Sequence, residues 1–356
     1  MYEIKINKAK ELQQKPADES KLGFGKIFTD HMLLIDYNKE TGWHDARVVP
    51  FGNLTLHPAS TVLHYSQEIF EGAKCYRTDQ GMNLFRIRDN FERFNRSATR
   101  MGMATIPVDL CMESLMALLS VDKEWTPHQD GTSLYIRPTM IATQPYLGVS
   151  SSDRYLYYVL LSPSGAYYAS GLAPVGIYVE DEHVRAVRGG VGTAKTGGNY
   201  SASILAGMKA KKLGYAQVLW LDGVKQRYVE EVGAMNMMFV YEGRKIVTPV
   251  LNGSILSGIT RDSTLKLAKH LGYETEEKKV AIDEVIADAK DGKITEAFGT
   301  GTAAVISPVN KILYKGDEVL IGDDSIGPVS QKLYDTLTGI QYGRLDDPFN
   351  WITPVR

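Results

Sequence analysis

Between Gly189 and Tyr200 the chain reads GGVGTAKTGGNY, five glycines with one lysine, Lys195, near the middle. Glycine serves where backbone must take unusual dihedral angles or approach another group closely. A lysine among such residues is not a routine solvated charge on a helix. Three readings compete. A phosphate-cradling GxxxxGK[ST] loop would run from Gly189 to Lys195-Thr196, but Ala194 stands where its second glycine belongs. The preceding run, DEHVRAVR, is too charged for the buried strand such a loop needs, and Gly197-Gly198 opposes the helix that must follow. A solvated surface loop is the commoner fate of a lysine. The third reading is Schiff-base chemistry, in which the amine must reach a carbonyl and be partly deprotonated. The dense glycines tilt the balance toward it by arguing for close packing.

Other residues could serve the same chemistry. Glu230 and Glu231 stand at the edge of an apolar run, YVEEVGAMNMMFVY. A carboxylate turned into the core there needs a cationic partner, such as a protonated ring nitrogen. The plainer expectation is that both face solvent at a strand end. LSGITR at 256–261 opens a helix, and free N–H groups at a helix start receive anions. Arg93 shares a helix with Arg88, Arg96 and Arg100, and periodicity alone does not pick the buried one. Phe24, Tyr65, Phe70, Tyr135, Tyr157, Tyr158 and Tyr167 place most aromatic bulk in the first half, as core or as the wall of an apolar pocket.

The elements that must position these groups are legible in outline. The chain has 356 residues, a formal charge of -2 and 44% hydrophobic content, which suits a soluble enzyme of about two domains. Near-neutral charge removes the electrostatic case for nucleic acid, and no run approaches a membrane span. A polar first stretch without a signal sequence, and only two cysteines, Cys75 and Cys111, suggest a reduced cytoplasm without a disulfide framework or zinc site.

Strands are expected at 32–37, 73–77, 83–87, 132–141, 155–162, 216–221, 235–241 and 245–249. Helices are expected at 58–68, from Asp89 as N-cap with Phe91, Phe94 and Ala98 on one face, and at 109–121, 201–213, 261–271 and 283–289. A second glycine turn is expected at Gly299-Thr300-Gly301-Thr302. The aperiodic SPSGAYYASGLAPVG at 162–176 marks an interdomain linker. Domains are therefore expected at 1–165 and 177–356, joined by 166–176. Strands and helices mix without strict βαβ alternation, which favours α+β.

Taken together the motifs resemble the branched-chain amino-acid aminotransferases, class IV enzymes of fold type IV that use pyridoxal 5′-phosphate. The likeness covers nearly the whole chain: HYSQEIFEGAK at 64–74, GTSLYIRP at 131–138, LGVS at 147–150, GGVG and KTGGNY at 189–200, EVGAMN at 231–236, LNGSILSGITR at 251–261 and FGTGTAAVISPV at 298–309. Their common order makes the resemblance specific. It implies a D-amino-acid-aminotransferase-like fold, with a smaller N-terminal α/β domain and a larger C-terminal pseudo-barrel domain. It also implies a cytoplasmic homodimer that exchanges amino groups between Leu, Ile or Val and 2-oxoglutarate.

On this resemblance Lys195 would carry the cofactor as a Schiff base and then move the proton at Cα. Glu231 would pair with the ring nitrogen, and Tyr200 with the phenolic oxygen. Arg93, Ile259, Thr260 and Thr300 would hold the phosphate. Tyr135, Thr302 and Ala303 would meet the substrate carboxylate. Phe24, Tyr65, Phe70, Tyr167 and, from a partner subunit, Leu147 and Val149 would surround the side chain, and Arg137 would place glutamate's distal carboxylate. No metal is implied. Another fold type IV enzyme, such as aminodeoxychorismate lyase, is the alternative. Many animal relatives carry threonine at the position of Ala234 and a Cys-x-x-Cys pair where Ala304 and Ser307 stand here, so no thiol switch is expected at that place.

Overall fold

Leu, Ile, Val and Tyr crowd the segments Ser133–Ala142 and Arg154–Ser164, and the two pair antiparallel throughout, with Ser133 opposite Ser164 and Ala142 opposite Tyr155. The computed structural model describes residues 2–165 and 172–355. In it this hairpin is the centre of a nine-stranded sheet. The sheet belongs to the first of two compact units, formed by Met1–Ala169, Ala194–Gly197 and Ile340–Arg356. The second unit comprises Ser170–Thr193 and Gly198–Gly339. The chain thus re-enters the first unit for the four residues around Lys195 and again near its C-terminus. Most of the expected linker, 166–171, lies outside the described residues, and the strand Val175–Glu180 already occupies its last two positions.

In the first unit one face of the sheet is covered by the helices Ile87–Arg100 and Val108–Val121. Ile87, Phe91, Phe94 and Ala98 recur at helical spacing and are fully buried, as are Cys111, Leu115, Leu118 and Leu119. Each such large side chain contributes about 1.5–3 kcal/mol by leaving water. The first of these helices starts earlier than expected. Arg86, in the left-handed region at φ 50°, takes the cap position, and Asp89 lies in the first turn, where its carboxylate accepts from Arg86 Nε at 2.6 Å. The polar N-terminal arm is pinned: Ala9 N–H donates to His31 Nε2 at 2.8 Å and Gln13 N–H to Asp30 Oδ1 at 2.7 Å. The helix expected over 58–68 is confined to Thr61–Tyr65. Ser66 ends it in the left-handed conformation, φ 50° and ψ 34°, and Glu68–Phe70 is a short strand beside Ser133–Ala142. The strand Ile352–Val355 closes the far edge by pairing with Gly81–Phe85.

The second unit is built on a closed ring of six strands. In order around the ring these are Val175–Glu180, Gln217–Leu221, Val229–Val232, Met235–Tyr241, Ile294–Gly301 and Val305–Tyr314, the last pairing back to the first. Both pairings of Val175–Glu180 are parallel and the other four are antiparallel. Ile177, Leu219, Val232, Met237, Phe239, Ala297 and Ile312 fill the interior. Gly299 is glycine for a packing reason, since a Cβ there would come within 2.8 Å of Val232 Cγ1 and 2.9 Å of Met235 Cε. The expected glycine turn is therefore the end of a strand, and the chain turns after Gly301 instead. Closure into a barrel leaves these six strands without a free edge. The barrel, with its mixed helices, agrees with the α+β fold type that the resemblance implied.

Candidate active site

In the first unit the chemistry gathers on the strand Glu68–Phe70 and the residues just after it. Lys195 is clamped by its backbone: its N–H donates to the buried Ser97 Oγ at 2.9 Å, and its carbonyl accepts from Phe70 N–H at 3.0 Å. Thr196 Oγ1 donates to Glu68 O at 2.7 Å and Gly197 N–H to Glu68 Oε2 at 3.0 Å. A Cβ on Gly197 would lie 2.4 Å from that oxygen, so the glycine keeps the carboxylate against the backbone. The lysine is half-buried, with Nζ 4.8 Å from the Phe70 ring centroid.

Around Phe70 stand the other aromatic groups. The Arg137 guanidinium lies 4.9 Å from the Phe70 ring and donates to Tyr135 Oη at 3.0 Å. Phe24 meets Tyr135 edge-on at 4.8 Å. Tyr135 Oη sits where a Cβ on Gly72 would be, at 2.1 Å, so glycine there makes room for the hydroxyl. The result is an apolar wall with one guanidinium and one phenol at its polar end. Tyr65 hydroxyl donates to the Leu147 carbonyl. Leu147 and Val149 are 62% and 85% exposed, large apolar groups on a surface loop. Tyr167 lies outside the described residues.

The helix with four arginines resolves itself. Arg93 is buried and forks onto Glu71, Nε to Oε1 at 2.7 Å and a terminal nitrogen to Oε2 at 2.9 Å, while Asn90 Nδ2 donates to Oε2 at 2.8 Å. Burial pushes the Glu71 carboxyl up, but the charge and hydrogen bonds of Arg93, with the charge of Lys195, outweigh it and hold the group below the usual carboxylate range. Glu68 behaves oppositely: burial raises it, and the Gly197 N–H and Arg137 offset this only in part.

In the second unit Glu231 and Glu230 are both buried, which corrects the expectation that they face solvent. The reason is the strand they occupy. Val229–Val232 pairs on both sides, and the loop 252–256 lies against it and supplies donors. Glu230 Oε1 accepts from Asn252 Nδ2 at 2.9 Å and from the Ser254 hydroxyl. Glu231 Oε1 accepts the Leu256 N–H at 2.7 Å. Glu231, Asn236 and Thr300 are register partners across three neighbouring strands, so their side chains share one face of the sheet. Asn236 Nδ2 donates to Leu256 O at 3.0 Å, so two adjacent barrel strands grip both polar groups of one residue just ahead of the helix Ile259–His270.

That helix begins at Gly258 without a side-chain cap, and a Cβ at Gly258 would meet Asn236 Oδ1 at 2.0 Å. Ile259 and Thr260 open its first turn, where backbone N–H groups and the helix dipole favour an anion. Thr300 Oγ1 donates to Val305 O at 2.9 Å and lies 3.3 Å from Thr264 Oγ1. Thr302 and Ala303 occupy the turn after that strand, and Tyr200 the short helix Gly197–Ser201. A buried carboxylate in a row with a hydroxyl, beside an uncapped helix start, suits a group with a basic ring nitrogen at one end and a phosphate at the other. The amine that pyridoxal 5′-phosphate also requires has a candidate in Lys195 of the first unit.

The amino-transferase class IV family model matches residues 68–312, and the chain belongs to that family. Its relatives within the family include branched-chain-amino-acid aminotransferases. The chain is 52% identical over 349 residues to a probable branched-chain-amino-acid aminotransferase of Staphylococcus aureus (strain N315), covering 98% of this chain and 97% of the relative. It is 52% identical over 345 residues to branched-chain-amino-acid transaminase 1 of Bacillus subtilis (strain 168), with 96% of each covered. The crystal structure of the Escherichia coli branched-chain amino acid aminotransferase superposes with a TM-score of 0.75 at 28% identity, covering 92% of this chain and 99% of that one. The T.th. branched-chain amino acid aminotransferase with pyridoxamine 5′-phosphate gives 0.76 at 28% identity, covering 90% and 98%.

Several supporting residues escape sequence reasoning. Asn90 and Ser97 are lost among the many polar residues of their helix, and Asn236 is marked only as a polar residue in an apolar run. Glu71 lies in the quoted HYSQEIFEGAK, but its role as the partner of Arg93 needs the fold. Arg185 sits in the charged run that reads as solvated, yet it is buried, with a terminal nitrogen 3.3 Å from Glu231 Oε1.

Proposed function

We propose that this chain transfers the amino group between branched-chain L-amino acids and 2-oxoglutarate, using pyridoxal 5′-phosphate. The observation that carries the reading is the Lys195 amine laid over the Phe70 ring, in an apolar wall that ends in Tyr135 and Arg137. The cofactor, when bound, supplies an aldehyde and an electron-accepting ring. Lys195 would hold the aldehyde through its amine and would be the acid and base for the proton at substrate Cα. Glu231 would accept a hydrogen bond from the ring nitrogen, and Tyr200 would donate one to the phenolic oxygen. Ile259 and Thr260 N–H, Thr300 and the charge of Arg93 would hold the phosphate. Tyr135 with the Thr302-Ala303 backbone receives the α-carboxylate.

Phe24, Tyr65, Phe70 and Tyr167 select an aliphatic side chain at about 0.8 kcal/mol per buried CH₂. Arg137 spares the distal carboxylate of glutamate from burial without a partner. The exposed Leu147 and Val149 support a homodimer in which they complete the neighbour's pocket, and two buried free cysteines suit the cytoplasm. No helix among the described residues is long and apolar enough to cross a membrane.

The test is an absorption spectrum of the purified protein, followed by leucine and then 2-oxoglutarate. Leucine should convert the lysine-bound form of the cofactor to its amine form, and 2-oxoglutarate should restore it. Lys195→Ala should retain some cofactor through the phosphate contacts and show no conversion. A wild-type spectrum unchanged by leucine would overturn the reading, as would full turnover in Lys195→Ala. Light scattering that finds active monomers at assay concentration would remove the dimer.

A further inference from the structure

Arg185 is a buried cation with an unusual set of partners. One terminal nitrogen donates to Gly192 O at 3.3 Å and to the Ser254 carbonyl, and lies 3.3 Å from Glu231 Oε1. Its Nε has no partner among the described residues. Each partner belongs to a different segment. Gly192 is in the glycine loop, three residues before Lys195. Ser254 is in the loop that leads to the Ile259 helix start. Glu231 is on the barrel strand Val229–Val232. The first two segments touch so closely that a Cβ on Gly192 would lie 2.1 Å from Ser254 O and 2.7 Å from Ala186 Cβ. The neighbouring carboxylate, Glu230, is spoken for by Asn252 and the Ser254 hydroxyl, so Glu231 is the acid that faces the guanidinium.

We infer that Arg185 is a positioning residue that keeps Glu231 ionised and thereby assigns the proton to the cofactor's ring nitrogen. The inference rests on the reading of Glu231 as the partner of that nitrogen. A buried carboxylate beside a pyridine shares one proton in two ways: carboxylate with protonated ring, or carboxylic acid with neutral ring. Away from water the neutral pair gains, because it buries no charge. A guanidinium cannot give up its proton in a protein. At 3.3 Å from Oε1 it directly stabilises the carboxylate form of Glu231. The balance therefore moves to the protonated ring, the form that draws electrons from the substrate. The same side chain ties the glycine loop and the 254 loop to the acid, so charge and position are set together.

The probe is 4-deoxypyridoxine 5′-phosphate, which has the ring and phosphate but no aldehyde, so it needs nothing of Lys195, and its ultraviolet spectrum reports whether the ring nitrogen is protonated. It is added to the full chain freed of cofactor. In the wild type the ring should stay protonated from pH 6 to 9. In Arg185→Gln the bound ring should show the neutral spectrum, with affinity lower by about tenfold, the scale of one charged hydrogen bond. Arg185→Lys should restore the protonated spectrum at neutral pH and lose it at high pH, because a buried amine titrates where a guanidinium does not. That pH-dependent loss decides the matter even if the glutamine variant fails to fold. A protonated ring in Arg185→Gln, or a spectrum independent of pH in Arg185→Lys, overturns the inference. Glu231→Gln separates the two claims. If it leaves ring protonation untouched, the assignment of Glu231 itself has failed. If it abolishes protonation while both Arg185 variants match the wild type, only the role of Arg185 has.

Discussion

Glu71→Gln removes one charge from a pair that is nearly sealed from water, Glu71 at 0% and Arg93 at 4% exposure. The substitution keeps size and one acceptor but not the second short contact, so two charge-assisted bonds of 2.7 and 2.9 Å become at most one neutral bond. Asn90 Nδ2, at 2.8 Å, then faces either a weaker acceptor or an amide donor. The heavier penalty is the guanidinium left without its counter-ion. Removing one partner of a buried ion pair costs roughly 3–5 kcal/mol, whereas the intact pair adds little over an apolar replacement. Glu71→Gln should therefore cost about that much, and the double variant Glu71→Gln/Arg93→Met should recover a large part of the loss.

The pair also leaves a mark on pH dependence. The carboxyl of Glu71 is held below its ordinary value in the folded chain. Its contribution is therefore full above the unfolded value of about 4.3 and is lost as pH falls through the lower folded value. The glutamine variant should lack this component of acid destabilisation. The assay is urea unfolding at several pH values, followed by a probe of the first unit such as Trp125 fluorescence. A loss under about 1 kcal/mol at pH 7, or a double variant worse than the single one by the full cost of Arg93, would refute the buried-pair argument.

Other expectations follow from single sites. Lys74 is buried and its amine is pushed down to about 8. The cost of burying the charge is full below that value and fades as pH rises toward the unfolded value of about 10.4, so Lys74→Met should favour stability more at pH 7 than at pH 10, which urea unfolding at the two pH values checks. Gly192→Ala must part the glycine loop from Ser254 and should destabilise by about 1–3 kcal/mol, with weaker cofactor binding. Gly207→Ala, in open space on the helix Ile204–Lys212, should stabilise by about 0.5–1 kcal/mol, and calorimetry on both distinguishes contact from propensity. Cys75 and Cys111 are fully buried and burial pushes each thiol up to about 12, so mild peroxide should leave activity unchanged. A loss restored by a thiol reductant and absent in Cys75→Ser would contradict that.

Sequence reasoning reached the long apolar strands well, because 132–141, 155–162 and 235–241 are rich in β-branched and aromatic residues and bury both faces. It overran at 58–68, where one left-handed serine, Ser66, stops a helix that composition would continue. Closure of the barrel was not readable from periodicity, since it depends on Val229–Val232 pairing with two strands and on Val305–Tyr314 returning to Val175–Glu180. Long-range pairing of this kind leaves no local trace, and the fold type came instead from the ordered motifs. Lys195 was legible from its glycines. The second carboxylate of the Glu230-Glu231 pair was singled out by resemblance, and its burial became visible only with the 252–256 loop in place. Arg185 was hidden because a charged run usually marks solvent.

The strand Ile352–Val355 completes the first sheet at its Gly81–Phe85 edge. During synthesis the chain leaves the ribosome from its N-terminus, so Gly81–Phe85 emerges early and its partner only after the whole second unit. Throughout that interval the nascent sheet carries an unpaired edge, the kind of surface that captures other chains. Until residues 352–355 emerge, Gly81–Phe85 is the edge strand of the first sheet, and only then does that place pass to Ile352–Val355.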